Sequence, residues 1–237
     1  MEIQISASIH DQFGLSNSAD SVEIIERPNG GASIVIASCN TSLKSSKAIS
    51  LSIVKNVINL IADGVRDGAA ARAASDSLYT DYSGKVCASL TILSSDLQTR
   101  TIVITCNNQA PILLSRNGII EKLTTECTLI GSDLGIRPSV SEIPIESGLI
   151  LLAVTPAFLS MNHENEHLID LSSSFTELME EQDLTSKQIT DTILLETIGI
   201  TKSISSPEFS VVVLKIDASP NDQIRRLSIN LPIKDID

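Results

Sequence analysis

His163-Glu-Asn-Glu-His167 is a literal match to the H-E-x-x-H spacing. On a helix that spacing sets both imidazoles on one face, where they could hold zinc beside a glutamate base. The segment directly follows Pro156 and a strand-like run instead of lying within a long apolar helix, and spacing identifies no third ligand. A solvated acidic loop or helix turn is the favoured reading, and a zinc hydrolase the distant one. The four cysteines, Cys39, Cys87, Cys106 and Cys127, contain no C-x-x-C pair, so a cysteine zinc site of ordinary spacing is not expected. Cys39 has no His or Arg close in sequence to depress its pKa, which favours an inert small residue over a reactive thiol. Gly30-Gly31 precedes a strand, not a helix N-terminus, and so is no phosphate cradle.

Those residues must be positioned by the elements around them. Ile3, Ile5, Ala7 and Ile9 alternate with polar residues, the period of a half-buried strand. Ser21–Arg27 and Ala32–Ala37 flank Pro28-Asn-Gly-Gly31 and predict a hairpin. Ile49, Ile53, Val57 and Leu60/Ile61 then recur at helical spacing; this helix starts between Leu43 and Ser46 and ends at Asp63-Gly64. A second helix opens at Gly68, with Asp67 as its expected N-cap and Asp63, Arg66 and Asp67 read as a capped, solvated corner. Short β-rich runs follow at Val86–Ser94, Thr101–Cys106, Pro111–Ser115, Ile119–Leu123, Glu142–Ile145 and Leu149–Thr155, with Asn117-Gly118 as a hairpin turn.

A turn at Leu97–Gln98 would set Cys106 opposite Ser89; that register leaves a Cys87–Cys106 bridge open without supporting it, and reduced, mostly buried thiols are the plain reading. Helical spacing returns from Leu171 to Ile198 in two pieces broken near Asp183–Ser186, with Thr185 or Ser186 as cap. Glu180, Glu181 and Asp183 make an acidic, solvated face that could also meet a basic partner. Ser210–Ile216 and Arg226–Leu231 close the chain as strands. Helices in pairs between strand runs, without βαβ alternation, point to an α+β domain of antiparallel sheets faced by helix pairs. The whole chain, residues 1–237, reads as one domain.

Composition narrows the function classes. The chain of 237 residues is 42% hydrophobic and 19% charged, enough to bury a sizeable core, and its 3% aromatic content makes that core aliphatic. A net charge of −12 repels phosphate backbones and anionic lipid heads, so neither nucleic acid nor membrane is an expected partner. The opening MEIQISASIHDQ has no basic stretch followed by a long apolar run, and Gly148–Val154 is too short to span a bilayer; a cytoplasmic location is expected.

Five stretches resemble the metal-dependent serine/threonine phosphatases of the phosphatase 2C superfamily, nearest to the bacterial sporulation stage II type. They are Asn17-Ser-Ala-Asp-Ser21; Gly30–Cys39 followed by Lys47-Ala-Ile-Ser50; Lys85–Pro111, ending Asn107-Asn-Gln-Ala-Pro111; Ile150-Leu-Leu-Ala-Val-Thr-Pro-Ala157; and Ser206–Leu214. The resemblance implies a four-layer α-β-β-α sandwich of two antiparallel sheets. It also implies aspartates that hold two manganese or magnesium ions, about 4 Å apart, to activate a water against a phosphoserine or phosphothreonine.

This sequence departs from that pattern at the ligands. Asp20 is retained as a vestigial metal ligand, although a turn aspartate capping its own backbone explains it equally well. Ser38-Cys39 replaces the first Asp-Gly pair and Pro156-Ala157 the second, while the last aspartate falls on Pro207 with Glu208 as the nearby substitute. Serine is a weak neutral ligand and thiol too soft for these ions. No cofactor and no catalytic residue are therefore expected, and the resemblance implies a regulatory protein-binding module, a pseudophosphatase in a bacterial signalling pathway. Its contact surface would be the helix pair over Lys44–Leu78 or the groove between Ser38 and Pro156, and its partner a phosphoprotein or an anti-sigma-type regulator. The alternative is an active phosphatase with a rearranged site, using Asp20 and Glu208 with Asp217 or Asp222 to hold Mn or Mg. A purely structural, self-associating domain is the third reading.

Overall fold

The computed structural model describes residues 1–10, 19–39, 41, 46–123, 127–159, 170–181, 183–201, 208–218 and 230. Ten strands and four helices are described, in the order β1 (Glu2–His10), β2 (Asp20–Glu26), β3 (Ala32–Ser38), α1 (Ser46–Ala62), α2 (Asp67–Tyr82), β4 (Ser89–Asp96), β5 (Thr101–Asn107), β6 (Ile112–Arg116), β7 (Ile119–Leu123), β8 (Ser139–Pro144), β9 (Ile150–Val154), α3 (Leu171–Glu180), α4 (Ser186–Thr201) and β10 (Phe209–Asp217). They form two antiparallel five-stranded sheets, β1-β10-β9-β6-β7 and β2-β3-β4-β5-β8.

Period decides which face each element buries. In β3, Val35 and Ala37 point outward beneath α1 and α2, whereas Ile34 and Ile36 point inward against the other sheet. The inward faces share one aliphatic layer, with Leu93, Ile104, Leu114, Leu151, Val212 and Leu214 among its members. A third cluster packs Phe175, Ile189 and Ile193 of α3 and α4 onto Leu113, Leu152 and Val213. Three apolar layers between four of secondary structure make the α-β-β-α sandwich. Because both faces of β3, β9 and β10 are covered, those strands carry apolar runs at Ile34–Ala37, Ile150–Val154 and Val211–Leu214, while β4, equally buried, alternates apolar residues with Ser and Thr.

Local chemistry sets the connections. Asn117 and Gly118 both take positive φ, 53° and 75°, as a two-residue β6–β7 hairpin demands. Gly31 has φ 93°, and a Cβ there would run into the backbone carbonyl of Ser95. Thr185 caps α4 reciprocally with Gln188: the Gln188 N–H donates to Thr185 Oγ1 at 3.2 Å and the Thr185 N–H to Gln188 Oε1 at 2.9 Å.

Three readings need correction. Asp67 is not an N-cap; it is the first residue of α2, nearly solvent-free, and ion-paired at 2.6 Å to Arg27, while Arg66 occupies the cap position without a side-chain hydrogen bond. Cys106 pairs with Thr91 instead of Ser89. The connection is the four-residue Leu97–Arg100, with Asp96 accepting from the Gln98 and Thr99 amides and Arg100 at φ 57°, which moves the turn centre by one residue and the register by two. The strand expected at Glu142–Ile145 starts earlier, at Ser139, because β8 pairs with β5 along its whole length. Arg226–Leu231 lies outside the described residues except for Asn230.

Candidate functional site

Asp20 is the first residue of β2 and pairs across the ladder with Ser38, the last of β3, which in turn pairs with Ser89 at the start of β4. On the facing sheet, the Thr155 N–H donates to the Ser210 carbonyl at 3.1 Å, placing the end of β9 beside the start of β10. Polar ends of five strands, β2, β3 and β4 of one sheet and β9 and β10 of the other, therefore converge where the two sheets meet.

The Asp20 carboxylate crosses the gap. Its Oδ2 accepts from Thr155 Oγ at 2.8 Å and from Ser210 Oγ at 2.7 Å, and the Ser38 hydroxyl also bonds to the carboxyl group. Asp20 and Ser210 are each 1% exposed and Thr155 is fully buried. Burial pushes the Asp20 carboxyl above its ordinary value of 3.8, against the opposing pull of the Ser38, Ser210 and Thr155 hydroxyls and the Lys47 charge. Lys47, in the first turn of α1, donates its ammonium to the Asp20 backbone carbonyl. Ser21 and Ser50 share a buried hydroxyl bond at 2.9 Å, so α1 is tied to β2 at two adjacent points. Asp20 thus links two sheets instead of capping its own turn.

Glu208 sits just before β10 and reaches back across the same gap. Its Oε2 accepts from the Ala19 N–H at 2.7 Å and its Oε1 from the Asp20 N–H at 3.1 Å. Both carboxylate oxygens are directed at backbone amides, in a charge-assisted clip. Cys39 follows Ser38, is fully buried, and directs its thiol at the Cys87 carbonyl, 3.8 Å away. Burial first, and then the neighbouring Cys87, push its pKa to about 11, so it is a neutral thiol at physiological pH. Pro156 and Ala157 begin a tight turn in which the Phe158 N–H bonds to the Thr155 carbonyl at 3.1 Å. Asp217 lies at the far end of β10, roughly 23 Å along the strand from Ser210 at about 3.3 Å per residue, and is paired there with Lys215 at 2.8 Å. Pro207, Asp222, His163 and His167 lie outside the described residues.

The donor set among the described residues does not by itself fit two hard dications. Such a pair needs several anionic oxygens. Here one carboxylate faces three neutral hydroxyls, at least two of them donating to it, the other carboxylate faces two amides, and an ammonium stands alongside. Among the described residues no group of three or more His, Cys, Asp or Glu could hold an ion. Sequence reasoning missed Thr155, Ser210 and Lys47 as members of the site. The signal for the first two was a hydroxyl residue abutting an otherwise apolar run, after Leu-Leu-Ala-Val and before Val-Val-Val.

No protein-family model and no curated protein matches the chain by sequence. Its fold matches solved structures. The PP2C phosphatase domain of the cell fate determinant SpoIIE from Bacillus subtilis, solved with a fragment of its regulatory domain, superposes with a TM-score of 0.77 at 16% identity. That match covers 91% of this chain, which spans 64% of the length of the SpoIIE fragment. The SpoIIE phosphatase domain in a form without domain swapping gives a TM-score of 0.68 at 17% identity, covering 98% of both chains. The catalytic domain of the serine/threonine protein phosphatase PstP, in complex with two manganese ions, gives 0.68 at 13% identity over 91% of this chain and 99% of that one. At these identities the likeness is one of fold: two antiparallel sheets flanked by helices, as in PP2C-type phosphatase domains.

Proposed function

We propose that this chain is a phosphatase 2C-like domain that has given up two-metal catalysis and works as a regulatory, protein-binding module in a bacterial signalling pathway. The observation that carries this reading is the use of Asp20: its carboxylate is satisfied by Thr155 and Ser210 hydroxyls from the opposite sheet, in the place where the resemblance puts the first metal ligand. Hydroxyl donors and the Lys47 ammonium supply in neutral and monovalent form the positive potential that dications would otherwise provide. Glu208, the substitute carboxylate beside it among the described residues, is directed at two amides whose bonds help join the sheets. Function would then lie in surface recognition, with the α1–α2 pair and the groove between Ser38 and Pro156 as the contact surfaces. By its likeness to a cell fate determinant, the partner would be a phosphoprotein or an anti-sigma-type regulator.

Purified protein is expected to release no phosphate from phosphoserine peptides or an aryl phosphate in the presence of manganese or magnesium. Manganese-dependent turnover that disappears in a folded Asp20→Ala variant would contradict the proposal and establish instead an active phosphatase with a rearranged site.

A further inference from the structure

Two thiols in this chain share one acceptor. Cys106 Sγ, near the end of β5, lies 3.3 Å from the carbonyl oxygen of Asn108, and Cys127 Sγ lies 3.0 Å from the same oxygen. The two sulfurs are therefore no further apart than the sum of those distances. Both side chains belong to the layer between the sheets: Cys106 is 3% exposed, and Cys127 packs against that cluster while remaining partly open to solvent. A second, independent contact holds the two segments together, because the Asn107 side-chain amide Nδ2 donates to the Thr128 carbonyl at 2.8 Å, one residue on from each cysteine. No disulfide joins any of the four cysteines.

We propose that Cys106 and Cys127 are a redox-responsive dithiol, closed to a disulfide by a peroxide. Cys127, the more accessible of the two, attacks as its thiolate: an S–O bond forms, the peroxide O–O bond breaks, and the departing hydroxide takes a proton to become water. The Cys106 sulfur then attacks the sulfenic sulfur; an S–S bond forms, the S–O bond breaks, and the second oxygen leaves as water. Two thiols are oxidised to one disulfide, and one hydrogen peroxide is reduced to two waters. A bond of about 2.05 Å requires the two side chains to turn from the shared carbonyl toward each other. That turn withdraws both donors from Asn108, whose amide donates to Thr91 at 3.3 Å and to the Val154 carbonyl at 3.2 Å, next to Thr155 and hence to the Asp20 network. Cys39 and Cys87 provide an internal comparison, since the buried Cys39 resists forming a thiolate.

The test treats the purified full chain with hydrogen peroxide, counts thiols after unfolding, and maps peptides without reduction. The expected result is a fall from four titratable thiols to two, a Cys106–Cys127 cross-linked peptide, and return to four with dithiothreitol. In Cys106→Ser the reaction should stop at a sulfenic acid on Cys127 that a dimedone probe traps; in Cys127→Ser all three remaining thiols should survive. A count that stays at four, a Cys39–Cys87 link, or oxygen adducts without a cross-link would each overturn the proposal.

Discussion

Arg27→Ala is expected to cost the fold about 3–5 kcal/mol, the usual result of removing one partner from a buried ion pair. Arg27 follows β2 and pairs at 2.6 Å with Asp67, whose side chain is 1% exposed, and at 3.8 Å with Asp96; it also donates to Ser33 at 3.0 Å. Ser33 and Ser94 share a further buried bond at 2.7 Å, so the guanidinium organises the end of the second sheet opposite Asp20. The other Asp67 oxygen, Oδ2, has no hydrogen-bond partner among the described residues, so without Arg27 the carboxylate would keep little compensation beyond the N-terminus of α2. Chemical denaturation checks this directly. Adding Asp67→Asn to Arg27→Ala should recover part of the loss; additive effects, or a single-mutant loss under about 1 kcal/mol, would show the pair contributes little.

Asp20 is expected to behave as a structural acceptor, not as a metal ligand. Asp20→Ala deprives the Thr155 and Ser210 hydroxyls of their partner, and each unmade buried bond costs about 1–3 kcal/mol, so a loss of roughly 3 kcal/mol or more is anticipated. Asp20→Asn keeps an acceptor oxygen and removes the buried charge, and should therefore unfold within about 1 kcal/mol of the parent. The pH dependence has a definite direction. Because burial raises the native pKa above 3.8, the native state holds the Asp20 proton more tightly than the unfolded chain. Its contribution is fully present below 3.8 and declines as pH rises through the native value. Asp20→Asn, which has no such proton to lose, should gain stability relative to the parent across that rise. Thermal unfolding from pH 3 to pH 8 measures it; a gap moving the opposite way would mean that the charged form is the one the fold favours.

Much of the architecture was legible because it is written locally. Pro28-Asn-Gly-Gly31 between β-branched runs specified the β2–β3 hairpin, and Asn117-Gly118 specified the β6–β7 turn, since each needs backbone angles that few residues tolerate. The paired helices followed from period alone. Register and partnership were not legible in the same way. Leu97–Arg100 carries no glycine to mark its centre, so the register expected for β4–β5 differs from the observed one by two residues. Local propensity makes Asp67 a cap because its partner Arg27 lies 40 positions away, a distance that propensity does not see. At the site, the resemblance singled out Asp20 and the replaced positions Ser38 and Pro156. Thr155 and Ser210 lie inside two of the stretches that carry the resemblance, but their role is not written there, because a hydroxyl that satisfies a buried carboxylate is recognised only once two sheets bring it there.

The most direct measurement is calorimetric titration of manganese into the purified protein near neutral pH. If Asp20 serves the two sheets through hydroxyls, the heat should not exceed dilution, and Asp20→Asn should give the same flat trace. Saturable binding of two manganese ions per chain, abolished in Asp20→Asn, would contradict it.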